Sequence, residues 1–257
     1  MTDLMIVGGG AAGLMAAICF LEECPQGKVK LLEAGERVGK KLLSTGNGRC
    51  NLTNLRAAAR DYAPADVSGV LNQLPPQRLI EKMEEMGLPC REEGEGRVYP
   101  ASDAASSVLD TLRLTAEHLG AEEVTGFEAV RVRRDAEGFV TEAADGRRER
   151  AKLLLLTTGG RVASKFAGYD LARALGHSVT PLIPALLPFK TDAAAIKGLN
   201  GVRCKCVAAE SRFCARRAKC SLRTTACPAS PSSSFPVRWH GRKRTSKRRW
   251  SWIFCRE

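Results

Sequence analysis

The chain has 257 residues, 44% of them hydrophobic, and a formal net charge of +12. That length supports one large domain or two small ones, and the absence of any run of 18 apolar residues argues against a membrane-spanning helix. The N-terminus has no basic n-region and enters an apolar strand pattern directly, so it reads as no signal peptide and the expected location is cytoplasmic and reducing.

The basicity is local. Residues 210–257 hold 13 Lys/Arg against two Asp/Glu, leaving 27 against 26 for the first 209 residues. Six of the ten cysteines lie from Cys204 onward, and Trp239, Trp250 and Trp252 are the only tryptophans. Two compositions share one chain.

Leu4-Met5-Ile6-Val7 is an apolar strand that runs into Gly8-Gly9-Gly10-Ala11-Ala12-Gly13. Residues 14–21 continue with helical character, and 28–33 read as a second buried strand ending on Glu33. Gly8-x-Gly10-x-x-Gly13 is thus a G-x-G-x-x-G turn in strand–turn–helix context. The first glycine permits the turn, the second admits a pyrophosphate, and the third lets helix and strand close. The helix N-terminus offers free N–H groups to phosphates. A carboxylate 20 residues after Gly13 suits ribose hydroxyls and repels a 2′-phosphate. This unit alone leaves FAD and NAD both open.

Residues 39–54 are rich in Gly, Asn, Ser and Thr, and composition alone makes them a surface loop. They start six residues after Glu33, so they can return along a bound dinucleotide. Lys40, Lys41 and Arg49 can neutralise phosphates while small residues let backbone approach a flat ring.

Pro75-Pro76 opens a helix through Met86, stopped by Gly87 and Pro89. Ser102 and Asp103 are read as the cap of a helix over about 104–119. Residues 124–150 alternate polar and apolar around Gly138 and Asp145-Gly146, the pattern of an antiparallel meander. Residues 152–158 form a separate apolar strand broken by Gly159-Gly160. A short helix over 169–175 ends at Gly176, and Pro181, Pro184 and Pro188 mark a change of direction.

Taken together, G-G-G-A-A-G (8–13), L-L-E-A (31–34), G-K-K-L-L-S-T-G-N-G-R-C-N-L-T-N (39–54), G-R-V-Y-P-A-S-D-A-A-S-S-V-L (96–109) and L-L-T-T-G-G (155–160) resemble the BaiN/YhiN-like flavoproteins. Members are FAD-dependent oxidoreductases, some named aminoacetone oxidases and some bile-acid or steroid-type enone reductases. The resemblance covers about residues 1–207. It implies an α/β fold: a Rossmann-type FAD/NAD(P)-binding domain over 1–190, then the start of an inserted β-rich substrate domain at 191–209.

Carried over by position, the resemblance implies that Gly8, Gly10, Ala12 and Gly13 hold the pyrophosphate and Glu33 the adenosine ribose. Lys40, Lys41, Gly46, Asn47, Gly48, Arg49, Cys50 and Asn51 would run along the flavin side. Val130 would meet the adenine by its backbone, and Thr158, Gly159 and Gly160 would close over the cofactor. The turn Phe166-Ala167-Gly168-Tyr169 is several residues shorter than the family pattern, which puts the cofactor contact there in question.

No catalytic residue is assigned. His177 follows a helix-ending glycine and reads as a cap rather than a proton donor, and Cys50 as a small residue packed beside the flavin. Cys204-x-Cys206 lacks a second ligand pair, so it is a poor metal site and a better strand. The expected partners are a small-molecule substrate and NAD(P)H as electron donor, without nucleic acid or membrane. The alternative is a flavoprotein that binds or modifies nucleic acid through a basic C-terminal arm, and a plain NAD-binding protein is a third reading.

Residues 210–257 also read as an out-of-frame, disordered tail. One nucleotide out of frame, each original codon is the third base of one residue plus the first two of the next. Trp252-Ile253 then encodes Asp, Phe254-Cys255 Leu and Trp239-His240 Ala. Across 217–238 the permitted choices include G-E-V-L-F-T-D-Y-G-L-S-G-I-P-V-F-Q-L-S-R, which resembles a motif of the family's inserted domain. The shift is placed between Val207 and Arg217, so the chain is expected to stop short of most of its substrate domain.

Overall fold

The first strand, β1 (Thr2–Val7), is a continuous apolar run from Leu4 to Val7, as expected of a parallel strand covered on both faces. In this computed structural model the described residues are 1–62, 66–160 and 168–182, together with the backbone of four short strands beyond them. Helix α1 (Ala11–Glu23) follows the glycine turn and leads to β2 (Val29–Leu32). β1 and β2 pair in parallel, Leu4 opposite Val29 and Val7 opposite Leu32.

Two short 3₁₀ turns, broken by non-helical backbone from Thr45 to Asn47 within Leu42–Gly48, and strand β3 (Thr53–Asn54) come next. Helices α2 (Ser68–Gln73) and α3 (Pro76–Glu85) precede a hairpin of β4 (Cys90–Glu93) and β5 (Arg97–Pro100). Pro76 starts α3 where a missing N–H costs nothing, and Gly87, with φ +85, ends the turn after it. β3 pairs with β5, Thr53 opposite Val98, so two of the sequence motifs meet as neighbouring strands.

Helix α4 (Ala105–His118) is one residue shorter at each end than its sequence pattern. Its cap differs from expectation. Ala104 occupies the N-cap without a side-chain bond, and the Asp103 carboxylate is bound instead to Arg49 and Arg91. A charge-assisted pair outcompetes a neutral N–H for that carboxylate.

Strands β6 (Glu122–Val124), β7 (Ala129–Asp135), β8 (Gly138–Ala143) and β9 (Arg148–Leu156) complete the main sheet, ordered β6-β2-β1-β9-β8-β7. β6, β2, β1 and β9 are parallel, while β8 and β7 run antiparallel as the meander pattern predicts. The meander and the following apolar strand are not separate. β9 is one strand: Arg148 to Ala151 pair with β8, and Ala151 to Leu156 pair with β1. No glycine or proline breaks the chain between Arg150 and Lys152, and Ala151, fully buried, serves both pairings.

One sheet face carries Leu4, Ile6 and Leu31 against Leu14, Ile18 and Leu21 of α1 and Val108 and Leu112 of α4. The other carries Met5, Val7 and Leu32 with Phe127, Val132 and Leu171, the last from α5 (Tyr169–Ala174). Each fully buried Leu or Ile contributes roughly 1.5–3 kcal/mol. This is the α/β, Rossmann-type arrangement that the glycine turn implies.

The chain divides into two units, residues 1–57 with 68–180 and residues 58–67 with 181–257. The division at Thr180/Pro181 falls at the first of the three prolines. The second unit contains a 3₁₀ turn (Ala59–Tyr62) and an antiparallel sheet ordered β10-β13-β12-β11. These strands are β10 (Pro188–Phe189), β11 (Arg203–Glu210), β12 (Cys214–Ser221) and β13 (Cys227–Ser230). β11 contains Cys204 and Cys206, where alternation predicts a strand. Two strands fall within 210–257, and the remainder of that stretch lies outside the described residues.

Candidate functional site

The parallel strands end together at one edge, and the glycine turn sits there. Gly8 has φ +114, and a Cβ on it would stand 2.6 Å from the carbonyl oxygen of Thr157. A Cβ on Gly13 would stand 2.1 Å from the oxygen of Gly8. Both positions are filled by the protein itself. At Gly10 a Cβ would meet nothing within 4 Å. The turn is thus closed against its own strands and open at its middle glycine.

Helix α1 starts from this open point. Gly10 is its N-cap and makes no side-chain cap bond, no acidic residue lies in the first turn, and the Leu14 amide donates to the Gly10 carbonyl at 3.0 Å. The amides of Ala11, Ala12 and Gly13 precede that bond and lie at the positive end of the helix dipole. A helix end of this kind favours an anion.

Glu33 follows β2 and reaches back to the turn. Its carboxylate accepts from the Gly9 amide at 2.9 Å and the Gly35 amide at 2.8 Å. The backbone after β6 lies alongside: Phe127 donates to the Glu33 carbonyl at 2.8 Å and Gly126 to that of Gly35 at 2.9 Å. Val130 stands three residues beyond Phe127, at a bulge in β7, with its side chain about half exposed.

The loop 39–54 begins on the same turn, where the Gly39 amide donates to the Gly9 carbonyl at 2.7 Å. Lys40 and Lys41 are exposed and have no ion-pair partner among the described residues. Beyond them, Gly46, Asn47, Gly48 and Cys50 all take positive φ, between +54° and +83°. The coil closes on itself, the Arg49 amide donating to the Gly46 carbonyl at 3.3 Å and the Cys50 amide to that of Thr45 at 3.1 Å. Arg49, in the middle of it, is not free. Its guanidinium pairs with Glu93 and Asp103 and stacks 4.1 Å from the centre of the Tyr99 ring. Those partners hold it firmly protonated, and Arg49 in turn draws both carboxyls below their usual range. Cys50 is buried, and burial pushes its thiol up, away from the reactive thiolate.

Thr157 extends β9 toward the turn, donating from its amide to Val7 at 2.8 Å and from its hydroxyl to Gly8 at 2.8 Å. The Thr158 hydroxyl accepts from the Gly168 amide at 2.9 Å, tying the start of α5 to this edge. Gly159 and Gly160 are exposed next to it, and Phe166 and Ala167 of the shortened turn lie outside the described residues. His177 is exposed, and its amide donates to Ala172 at 3.1 Å, so its backbone closes the end of α5 as a cap does.

One edge therefore gathers Gly8, Gly10, Ala12, Gly13, Glu33 and Thr158, with Lys40 and Lys41 directly after Gly39. The stretch from Gly46 to Asn51 is held to a second set of partners: Glu93, Tyr99 and Asp103. Sequence reasoning gave no site role to Glu93, Tyr99 or Thr157, and read Asp103 only as a helix cap. Tyr99 and Asp103 lie inside G-R-V-Y-P-A-S-D, whose spacing to Arg49 carries no periodic signal. Among the described residues no group of three His, Cys, Asp or Glu could hold a metal ion, and no helix is long and apolar enough to cross a membrane.

Residues 2–219 match the family described as HI0933-like protein, Rossmann domain. The chain is 37% identical over 210 residues to a 3-dehydro-bile acid delta(4,6)-reductase of Clostridium scindens, across 79% of this chain and 51% of that protein. It is 29% identical over 195 residues to a ribosomal RNA dihydrouridine synthase of Escherichia coli, across 73% and 48% respectively. The chain spans about half the length of the curated relatives it matches. Among solved structures, THI4 of Thermovibrio ammonificans aligns with a TM-score of 0.48 at 18% identity, over 69% of this chain and 64% of that one. The family match covers most of the chain, and this protein belongs to the HI0933-like Rossmann-domain family.

Proposed function

We propose that this chain carries the FAD-binding part of an oxidoreductase. The observation that carries the reading is the contrast along the glycine turn: space is filled at Gly8 and Gly13 and open at Gly10, directly before an uncapped helix start. A pyrophosphate fits that opening by size and charge. Gly8, Gly10, Ala12 and Gly13 cradle it, and Lys40 and Lys41 add cationic charge. Each Glu33 oxygen accepts one amide and keeps a lone pair for a ribose hydroxyl. The backbone from Gly46 to Asn51 flanks the flavin, that at Val130 the adenine, and Thr158, Gly159 and Gly160 close the edge.

Bound FAD supplies hydride chemistry, and the protein supplies its orientation and surroundings. The substrate class we favour is a small organic molecule with a carbon–carbon double bond conjugated to a carbonyl. A 3-dehydro-bile acid with delta(4,6) unsaturation has that unit, and so does the uracil ring that becomes dihydrouridine. The names of both relatives therefore support one type of reduction. NAD(P)H is the proposed electron donor.

Two of the relatives act on ribosomal RNA by name, which favours a second reading: the conjugated double bond belongs to a uridine in RNA. One experiment addresses both. The purified chain is supplied with FAD, freed of excess, and its visible spectrum recorded; flavin bands support the cofactor reading and a colourless protein rejects it. Anaerobic bleaching by NADH or NADPH, then recovery of colour on adding a 3-oxo-Δ4 steroid or unmodified ribosomal RNA, distinguishes the substrates. We read residues 210–257 as out of frame, and the nucleotide sequence across 200–220 tests that independently.

A further inference from the structure

Arg49 is the one long side chain that leaves the middle of the positive-φ coil, and it leaves toward the protein. Its Nε and Nη2 donate to one oxygen of Asp103 at 2.8 and 2.5 Å. Its Nη1 donates to Glu93 at 3.3 Å, and Nη2 reaches the other Glu93 oxygen. Arg91 binds the second oxygen of Asp103. Two cations and two anions close the cluster, leaving no net charge for a phosphate.

Tyr99 is the floor of this arrangement. It is buried, Arg49 stacks on its ring, and a Cβ at Gly46 would come within 3.4 Å of its Cε1. The ring is thus wedged between the Arg49 guanidinium and the turn at Gly46. The Leu52 amide, donating to Val98 at 2.9 Å, fixes the loop exit to β5. Asp103 itself has φ +54 at the entry to α4. Strained backbone of this kind persists where surrounding contacts over-determine it, and it gathers at functional sites.

We infer that Arg49 is a positioning residue, acting through Asp103, Glu93 and Tyr99 to set the backbone from Thr45 to Asn51 in the shape that flanks the flavin. This rests on the FAD reading above and changes the role of Arg49 within it, from a phosphate contact to a brace. A phosphate contact works as a point charge, whereas this brace needs a planar fork that bonds two carboxylates and stacks on a ring.

The test compares full-length wild type with Arg49→Gln, Arg49→Lys and Asp103→Asn, using FAD, ADP and amide hydrogen exchange across 44–52. ADP carries the pyrophosphate, ribose and adenine without the flavin. As a brace, Arg49→Gln and Asp103→Asn each weaken FAD about tenfold or more, leave ADP affinity within twofold, and speed exchange across 44–52. Arg49→Lys does not restore the loop. Equal weakening of ADP and FAD by Arg49→Gln, rescue by Arg49→Lys, or unchanged exchange in Asp103→Asn overturns the inference. A wild-type chain that takes up no FAD rejects the cofactor reading instead, and the exchange comparison then decides alone whether Arg49 sets the loop.

Discussion

The Gly9 amide donates to the Glu33 carboxylate across 2.9 Å, joining the glycine turn to the end of β2. In the proposed site this bond would give Glu33 two tasks, since the oxygens that would accept from ribose hydroxyls also hold the turn that would receive phosphate. A hydrogen bond to a charged group contributes about 1.5–3 kcal/mol, and each 1.4 kcal/mol is tenfold in affinity. Glu33→Ala is therefore expected to weaken FAD binding by about tenfold to a hundredfold. Glu33→Gln, which keeps one acceptor oxygen, should lose less. Flavin fluorescence titration measures both, and equal affinity in Glu33→Ala and wild type would remove Glu33 from the site.

Gly10 and Gly13 belong to one motif but should fail in different ways. A methyl at Gly13 meets the Gly8 carbonyl at 2.1 Å and the Thr157 hydroxyl at 2.9 Å, so backbone must move. Overpacking of that kind costs about 1–3 kcal/mol, and Gly13→Ala should lower the melting temperature with or without FAD. A methyl at Gly10 meets only open space. Gly10→Ala should keep the FAD-free melting temperature, or raise it slightly, while losing most of its FAD affinity. Thermal denaturation with and without FAD checks the pair, and a folded Gly10→Ala variant with undiminished affinity counts against a pyrophosphate at that opening.

Much of this was legible in the sequence because it is local. A glycine turn between an apolar strand and a helix fixes its own geometry, and Glu33 lies a fixed distance on. The meander was legible because period-two alternation survives between turn residues. The single strand β9 was not, since its second half pairs with β1, 149 residues away in the chain, while its first half pairs with the adjacent β8. The cap of α4 was misread for a related reason. Ser102 and Asp103 look like a helix start, but Arg49, 54 residues earlier, takes the Asp103 carboxylate. Long-range charge pairing leaves no trace in local spacing.

Thr157 offers a test of the contact between β9 and the turn. Its hydroxyl donates to Gly8 at 2.8 Å and lies 3.2 Å from the Val7 carbonyl. Valine keeps the shape but removes the donor, leaving the Gly8 carbonyl without that partner. The expected loss is about 1 kcal/mol of stability, seen as a lower urea midpoint without a changed slope. Because Gly8 begins the turn proposed to hold the pyrophosphate, FAD affinity should fall as well. An unchanged midpoint and unchanged affinity in Thr157→Val would mean that the hydroxyl contributes to neither.

The Arg49 cluster is expected to set the acid limit of the loop. Hydrogen bonds from Arg49, reinforced at Asp103 by Arg91, draw the Glu93 and Asp103 carboxyls below their ordinary values of 4.5 and 3.8. A carboxyl depressed in the folded state contributes stability above its unfolded value, and loses it as pH falls through the folded one. Arg49 stays charged throughout, so only the two carboxylates titrate. The brace should thus be intact from pH 7 down to about 5 and should weaken only below the ordinary carboxylate range. Arg49→Gln releases both carboxyls toward their ordinary values and should move the acid transition to higher pH. Acid titration followed by circular dichroism, at constant ionic strength, measures that displacement. Coincident transitions for wild type and Arg49→Gln would show that the cluster, although ordered, carries none of the acid stability of the fold.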